Sequence, residues 1–343
     1  MTCDIIVAVW NQVKVTRRCL ESIARNTQAD YRIILIDNAS DEETKKYLDE
    51  FINANSQKVV LIRNKTNQGF LKAANQGLMK SEAKYVCLLN NDTVVTKGWL
   101  EELMSVAEKN PKLGIMNPSS TTLGQKVALK DIERYASKIK RYQGEYIEMA
   151  QASGFCMLIK REVIDKIGIL DESYGMGYFE DTDYSYRAKE IGFKIARVKA
   201  SYVYHQENVS FVRLKRRDEV FMANRKIFEE RWGRPLRIFV EARDGLRENE
   251  IKSFLDFANK SNWFIIARKD GIDIDIKHSN VKFLTYGAQV YYIKATFKIL
   301  KRYKKRYNML IIRNERLRKI LRRLKFIHKA EVLNFYEALK RMK

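Results

Sequence analysis

Asn90-Asn91-Asp92 follows the apolar run Val86–Leu89. A carboxylate delivered there could hold a hard cation, because magnesium needs one or two protein carboxylates when a diphosphate completes its shell. The same tripeptide is also an ordinary Asn/Asp turn. In Gly177-Tyr178-Phe179-Glu180-Asp181-Thr182-Asp183, three carboxylates fall within four residues at the start of a helical pattern. Their repulsion could raise one pKa and poise it as a general base; a plain helix start would use the same acids to meet the helix dipole. His205 ends the apolar run Val198–Tyr204 and offers either an imidazole ligand or a solvated strand end. Arg63-Asn64-Lys65-Thr66-Asn67-Gln68-Gly69-Phe70, with Asn75 and Gly77 beyond, has the Gly and Asn of a strand-to-helix turn whose N–H groups can approach a nucleotide. It lacks the glycine-lysine signature of an ATPase phosphate loop.

The elements that must position these groups alternate. Apolar, β-branched runs at Ile5–Trp10, Ile33–Ile36, Val59–Ile62 and Val86–Leu89 read as buried parallel strands. Amphipathic segments at Val13–Arg25, Glu42–Ile52, Phe70–Met79 and Trp99–Ala107 read as helices between them. A sheet of this kind gathers ligands at the carboxyl ends of its strands, where Asn11, Asp37-Asn38, Asn64 and Asn67, and Asn90-Asn91-Asp92 all fall. Residues 121–146 read as loop with some helix, Gly154–Ile159 as a strand, Glu180–Ile191 as a helix and Val209–Trp232 as a long basic helix. Trp232-Gly233-Arg234-Pro235 is a stop signal, giving a domain of residues 1–234 and a basic region of residues 235–343. In the latter, Arg237–Glu241, Trp263–Ala267, Val281–Thr285 and Met309–Ile312 read as strands of a small α/β unit, followed by basic amphipathic helices with Leu317, Ile320, Leu321 and Leu324 on one side.

Taken in order, these pieces resemble family 2 of the inverting glycosyltransferases, over roughly residues 3–212. The resemblance runs through Trp10-Asn11, Ile36-Asp37-Asn38-Ala39-Ser40, Asn67-Gln68-Gly69-Phe70, Leu89-Asn90-Asn91-Asp92-Thr93, Gly98-Trp99-Leu100, Gly154-Phe155-Cys156, Leu170-Asp171-Glu172, Phe179-Glu180-Asp181-Thr182-Asp183 with Arg187-Ala188, and Tyr204-His205. The Asn-Asn-Asp form is most similar to the branch containing many rhamnosyltransferases. The fold it implies is GT-A, a Rossmann-like, mostly parallel sheet flanked by helices.

The resemblance also implies roles. Asp37 would bind the pyrimidine base of a dTDP- or UDP-sugar, with Val9 and Asn11 lining the same pocket. Asn67, Gly69 and Asn75 would shape the nucleotide side, and Asn90 and Asn91 would lie near ribose and diphosphate. Asp92 would hold Mg2+ or Mn2+, with His205 a second ligand. Asp181 would be the general base, Glu180 and Asp183 would orient acceptor or donor sugar, and Gly154 would leave room for the acceptor, a saccharide, lipid-linked or protein hydroxyl. The usual acidic pair of the family is DxD; here a single carboxylate remains.

With 45% hydrophobic and 31% charged residues, the 343-residue chain is globular. About two-thirds of its net charge of +23 lies after Pro235. Such a tail suits an anionic membrane surface or a solvated face packed on a partner; no nucleic-acid motif accompanies the charge. Four scattered cysteines without metal spacing, and no apolar run of membrane-spanning length, point to a cytoplasmic protein, peripheral at the inner face of the cell membrane if it meets one. Two rival classes stand beside the transferase. One is another sugar-nucleotide enzyme, such as a nucleotidylyltransferase, which would carry a glycine-rich basic loop where Asn11-Gln12-Val13 stands. The other is a basic, non-catalytic binding protein.

Overall fold

Stiff β-branched runs become strands and the amphipathic segments between them become helices. The computed structural model describes residues 2–206, 217–301 and 306–342. The chain opens with β1 (Cys3–Val9), α1 (Val13–Asn26), β2 (Tyr31–Asp37), α2 (Glu42–Ala54), β3 (Val59–Arg63), α3 (Phe70–Lys80) and β4 (Tyr85–Leu89). Asp41 starts α2 by accepting the Thr44 N–H, with Glu42 and Glu43 on the positive end of the helix. α3 lies so close to the sheet that a Cβ on Gly77 would collide with Ile6 of β1.

Next come β5 (Thr93–Val95), α4 (Trp99–Lys109), β6 (Leu113–Ser119), α5 (Ile132–Ile139), β7 (Tyr146–Met149), β8 (Cys156–Lys160), α6 (Arg161–Ile167), α7 (Glu180–Glu190), β9 (Lys194–His205) and α8 (Arg217–Trp232). The long basic helix read from Val209 therefore has its first eight positions outside the described residues. Eight strands run in the order β3-β2-β1-β4-β8-β6-β9-β5. The half from β3 to β4 is parallel; β8 and β5 enter antiparallel. Core side chains from β1, β2, β4, α1, α2 and α4, among them Cys19, Leu48, Cys87 and Trp99, are buried. All four cysteines are buried and free, as small core residues.

Two compact units result: Met1–Ile147 with Gln151–Trp232, and Gly233–Lys343 with Glu148–Ala150. The second contains β10 (Arg237–Glu241), α9 (Glu248–Asn259), β11 (Trp263–Lys269), β12 (Val281–Tyr286), α10 (Tyr291–Leu300), β13 (Met309–Ile312), α11 (Glu315–Arg323), α12 (Lys325–His328), β14 (Glu331–Leu333) and α13 (Phe335–Met342). Its sheet is parallel throughout, in the order β12-β11-β10-β13-β14. α9 and α13 cover one face, with Phe254 and Ala338 in the core. Tyr291, Ala295, Leu317 and Leu321 of α10 and α11 cover the other. Ile320, grouped with those leucines by sequence, is instead turned out to solvent. Among the described residues, no helix is long and apolar enough to cross a membrane.

Candidate active site

Strand pairing, rather than sequence proximity, gathers the polar residues of the first unit. Val9, Asp37 and Arg63 are register partners across β1, β2 and β3, so the turns that follow meet at one edge. There Asn38 acts as a hub. Its Nδ2 donates to Asn67 Oδ1 at 2.8 Å and to the Gly69 carbonyl, and its Oδ1 accepts from Asn64 and the Gln68 N–H. Asn38 thus shapes the turn in which Gly69, at φ +82°, opens α3. Asn11, itself left-handed, ties the β1–α1 turn to the next: its N–H donates to Ser40 Oγ and its Oδ1 accepts the Asp41 N–H. Asp37 is buried between the Arg63 guanidinium, 3.1 Å from Oδ2, and the Ser40 N–H, 3.0 Å from Oδ1.

At β4, two antiparallel ladders do the rest. Leu89 pairs with Cys156, and the Asn90 N–H donates to the Phe155 carbonyl at 2.8 Å. Thr93 pairs with His205, which sets Asp92 beside the imidazole. Asp92 Oδ1 lies 3.1 Å from His205 Nε2 but out of line for a hydrogen bond, so this buried oxygen has no donor. Thr122 Oγ1 holds Nδ1 at 2.8 Å, and Phe155 stacks on the ring at 5.1 Å. When Nδ1 carries the proton toward Thr122, Nε2 keeps a lone pair that is not aimed straight at the carboxylate oxygen 3.1 Å away. Adjacent ligands of an octahedral cation at ~2.1 Å are separated by about that much. The pair therefore fits the cation expected from Asp92. Among the described residues, no cluster of three or more His, Cys, Asp or Glu could hold a metal alone, so other ligands would have to complete the shell. An open hollow of about 400 Å³ adjoins His205, lined also by Thr121, Lys126, Tyr204 and Gln206. Asn90 Oδ1 is buried without a donor, and Asn91 is pinned to Thr16 of α1.

Opposite Phe155, the Gly154 N–H donates to Asp181 Oδ2 at 2.9 Å. A Cβ on Gly154 would sit 3.7 Å from that oxygen and 3.8 Å from Glu180 Oε1, in van der Waals contact with both, so the glycine keeps side-chain atoms off the two carboxylates. Tyr178 and Phe179 both have positive φ just before α7, a strained approach for bulky residues. α8 fixes that loop: Asn224 Nδ2 donates to the Tyr174 and Gly177 carbonyls at 2.7 Å, and Phe221 and Phe228 pack on Phe179. Burial, then the neighbouring Asp181 charge, pushes the Glu180 carboxyl up to about 8, and its Oε2 has no donor. Burial also raises Asp181, but the Gly154 and Thr182 N–H groups and the Thr182 hydroxyl favour its ionised form. Of the two, Asp181 is the better site for the negative charge and Glu180 for the proton.

Three expected residues stand otherwise. Val9 buries its side chain in the core and offers only a carbonyl, which Asn38 already engages. Asn75 is buried on α3 with both ends of its amide held by Leu170 and Nδ2 also by Glu172. Asp183 is fully buried under Arg187, Arg231, Trp232 and Tyr174, which fill its acceptor positions and leave none for a sugar. Asn38 and Phe155 fall within the motifs read from the sequence but without a role, and Thr122 was not singled out, because each acts through partners distant in the chain.

Residues 4–168 match the model of glycosyl transferase family 2. That match runs from β1 to α6 of the first unit, a little under half of the chain. A putative glycosyltransferase, EpsH, of Bacillus subtilis is 20% identical over 231 residues, 66% of this chain and 67% of that protein. The poly-beta-1,6-N-acetyl-D-glucosamine synthase of Staphylococcus epidermidis is 29% identical over 175 residues, 48% of this chain and 41% of its own. The chain spans only 24% of a matching Sinorhizobium fredii protein and 35% of a Haemophilus influenzae glycosyltransferase. The crystal structure of S. aureus TarS 1-349 in complex with UDP-GlcNAc superposes at a TM-score of 0.52 with 16% identity, over 76% of this chain and 74% of that one. That likeness is one of fold, the GT-A fold.

Proposed function

We propose that the family 2 domain transfers a sugar from a dTDP- or UDP-sugar to an acceptor hydroxyl, of a saccharide, lipid-linked or protein substrate, with inversion at the anomeric carbon. The observation that carries the reading is the approach of two carboxylates, the buried Glu180 and the half-buried Asp181, to Gly154, one residue from the phenyl ring stacked on His205. Asp181 takes the proton of the acceptor hydroxyl as its oxygen bonds to the anomeric carbon, and the nucleoside diphosphate leaves with the electron pair of the broken C–O bond. Glu180, protonated at neutral pH, adds no second charge beside the base. Asp92 and His205 would hold the cation, which when bound offsets the charge of the leaving diphosphate. Asp37, Asn11 and the Asn67–Gly69 turn form the nucleotide side.

UDP-GlcNAc is the first donor to try, given the relatives named above; a dTDP-deoxysugar is the second, following the rhamnosyltransferase-like motif. Thermal melting with each donor and Mg2+ or Mn2+ tests the reading, since a cognate donor stabilises by mass action. Stabilisation by one donor, with Asp181→Asn still stabilised but inactive, supports it. Indifference to both donor classes at saturation overturns it.

A further inference from the structure

The outer surface of α10, α11 and α12 pairs exposed apolar residues with a charge surplus that the transfer chemistry does not use. On α10, Ile293 and Phe297 sit one turn apart and are 72% and 65% exposed. On α11 and α12, Ile320 and Phe326 are 50% and 75% exposed. The three helices are neighbours, while their other sides (Ala295, Ile299, Leu317, Leu321) are sealed against the sheet. The outward residues are therefore not displaced parts of a core. Exposed Arg316, Lys319 and Arg323 share a stripe with Ile320 at spacings of three and four, and Lys294 and Lys325 adjoin Ile293 and Phe326 in sequence. From Gly287 to Lys329 the sequence has fifteen lysines and arginines against one acid, Glu315.

The geometry points to this surface as a docking face for an anionic lipid bilayer, with Ile293, Phe297, Ile320 and Phe326 entering the headgroup boundary and the surrounding cations meeting acidic headgroups. Charge decides the occupant. A second copy of the chain would bring two surfaces of the same sign together. Nucleic acid would use the cations, but its bases stack on aromatic faces and gain little from exposed isoleucines. A bilayer uses both sets at once, as amphipathic surface helices do.

Co-sedimentation of the full chain with vesicles tests this without any sugar transfer, so its outcome is independent of the proposed activity. Binding to vesicles of about one-third phosphatidylglycerol in phosphatidylcholine should exceed binding to phosphatidylcholine alone by roughly tenfold or more, and should weaken with salt. Phe297→Ser with Phe326→Ser should lose about tenfold, and Lys319→Glu with Arg323→Glu as much, each with an unchanged far-UV spectrum and melting point. Equal binding to both vesicle types overturns the inference. So does retained binding in both folded double variants, binding of polyuridylate without binding of vesicles, or a dimer in sedimentation velocity that the two serines dissociate.

Discussion

In the first unit, Asn90 Oδ1, Asp92 Oδ1 and Glu180 Oε2 are buried acceptors that no donor meets. In the second unit, the acid at the matching place, Glu241 at the end of β10, is met from every side. Its Oε2 accepts the Arg313 and Asn314 N–H groups at 2.9 Å and its Oε1 the Arg243 N–H, closing the β13–α11 turn where parallel sheets commonly receive an anion. Glu250 and Arg313 then pair beside it. The buried side-chain groups left unmet there, Arg237 Nε and Arg243 Nε, are donors. Both sheets change strand direction of travel next to their first strand, and both place polar residues at strand ends. An internal carboxylate fills one crevice, while the other keeps unmet acceptors. A strand end marks where a ligand can sit; several partnerless acceptors around one cleft, unlike the lone Glu101 Oε2 on α4, mark where one is needed.

The comparison breaks if residues of the open site behave as structure, or residues of the filled one as machinery. Asp181→Asn should lower kcat by ~10²–10⁴-fold with donor binding retained. Loss of donor binding in step with kcat would instead make Asp181 a nucleotide ligand. Asp183→Ala tests the opposite role two residues away. It leaves Arg187 and Arg231 without their buried partner and should cost about 3–5 kcal/mol in urea unfolding. Unchanged stability with a large loss of turnover would return Asp183 to the sugar site. Asp92→Asn should lower kcat by about 10²-fold and make donor binding insensitive to chelator. Wild-type donor binding that ignores chelator from the start would remove the cation from Asp92 and His205.

The same contrast explains what the sequence could reveal. Strands β1, β2, β4, β10 and β13 are legible because each carries an apolar run buried on both faces, whereas β3, β11 and β12 are only partly buried and are legible from their β-branched and aromatic residues. β6 is not: Gly114, Asn117 and Pro118 read as breakers, yet all seven residues are buried. Asn117 survives there because its Nδ2 donates to the Cys156 and Ser153 carbonyls and its Oδ1 accepts the Ser153 N–H, partners that lie 36 to 39 residues on. Asp183 misled for the same reason. Locally it is one of three clustered acids, and only α8, reached about fifty residues later, supplies the Arg231 and Trp232 that neutralise it. Asp92 and His205 were legible separately, whereas their separation depends on a ladder between strands far apart in sequence.

In the filled crevice, Glu241→Gln exchanges a carboxylate that accepts three N–H bonds for an amide whose NH2 opposes one of them. Stability should fall by ~1–3 kcal/mol, with unchanged turnover per folded molecule. Lost turnover at unchanged stability would mean that the second sheet also has a working strand end.

Glu180 gives the smallest effect and the sharpest sign. Its carboxyl is raised from 4.5 to about 8 in the folded chain, mainly by burial and then by Asp181. Between those values the folded state holds a proton that the unfolded chain has released. Stability therefore falls as pH rises from about 4.5 to about 8 and levels off above. Glu180→Gln removes that slope. The variant should melt close to wild type at pH 5 and be more stable by about 1–2 kcal/mol at pH 9, less than the full shift implies because the two carboxyls titrate together. A variant less stable than wild type at pH 9 would show that an ionised Glu180 is met by a donor. The unmet acceptor on which the contrast between the two sheets rests would then be lost.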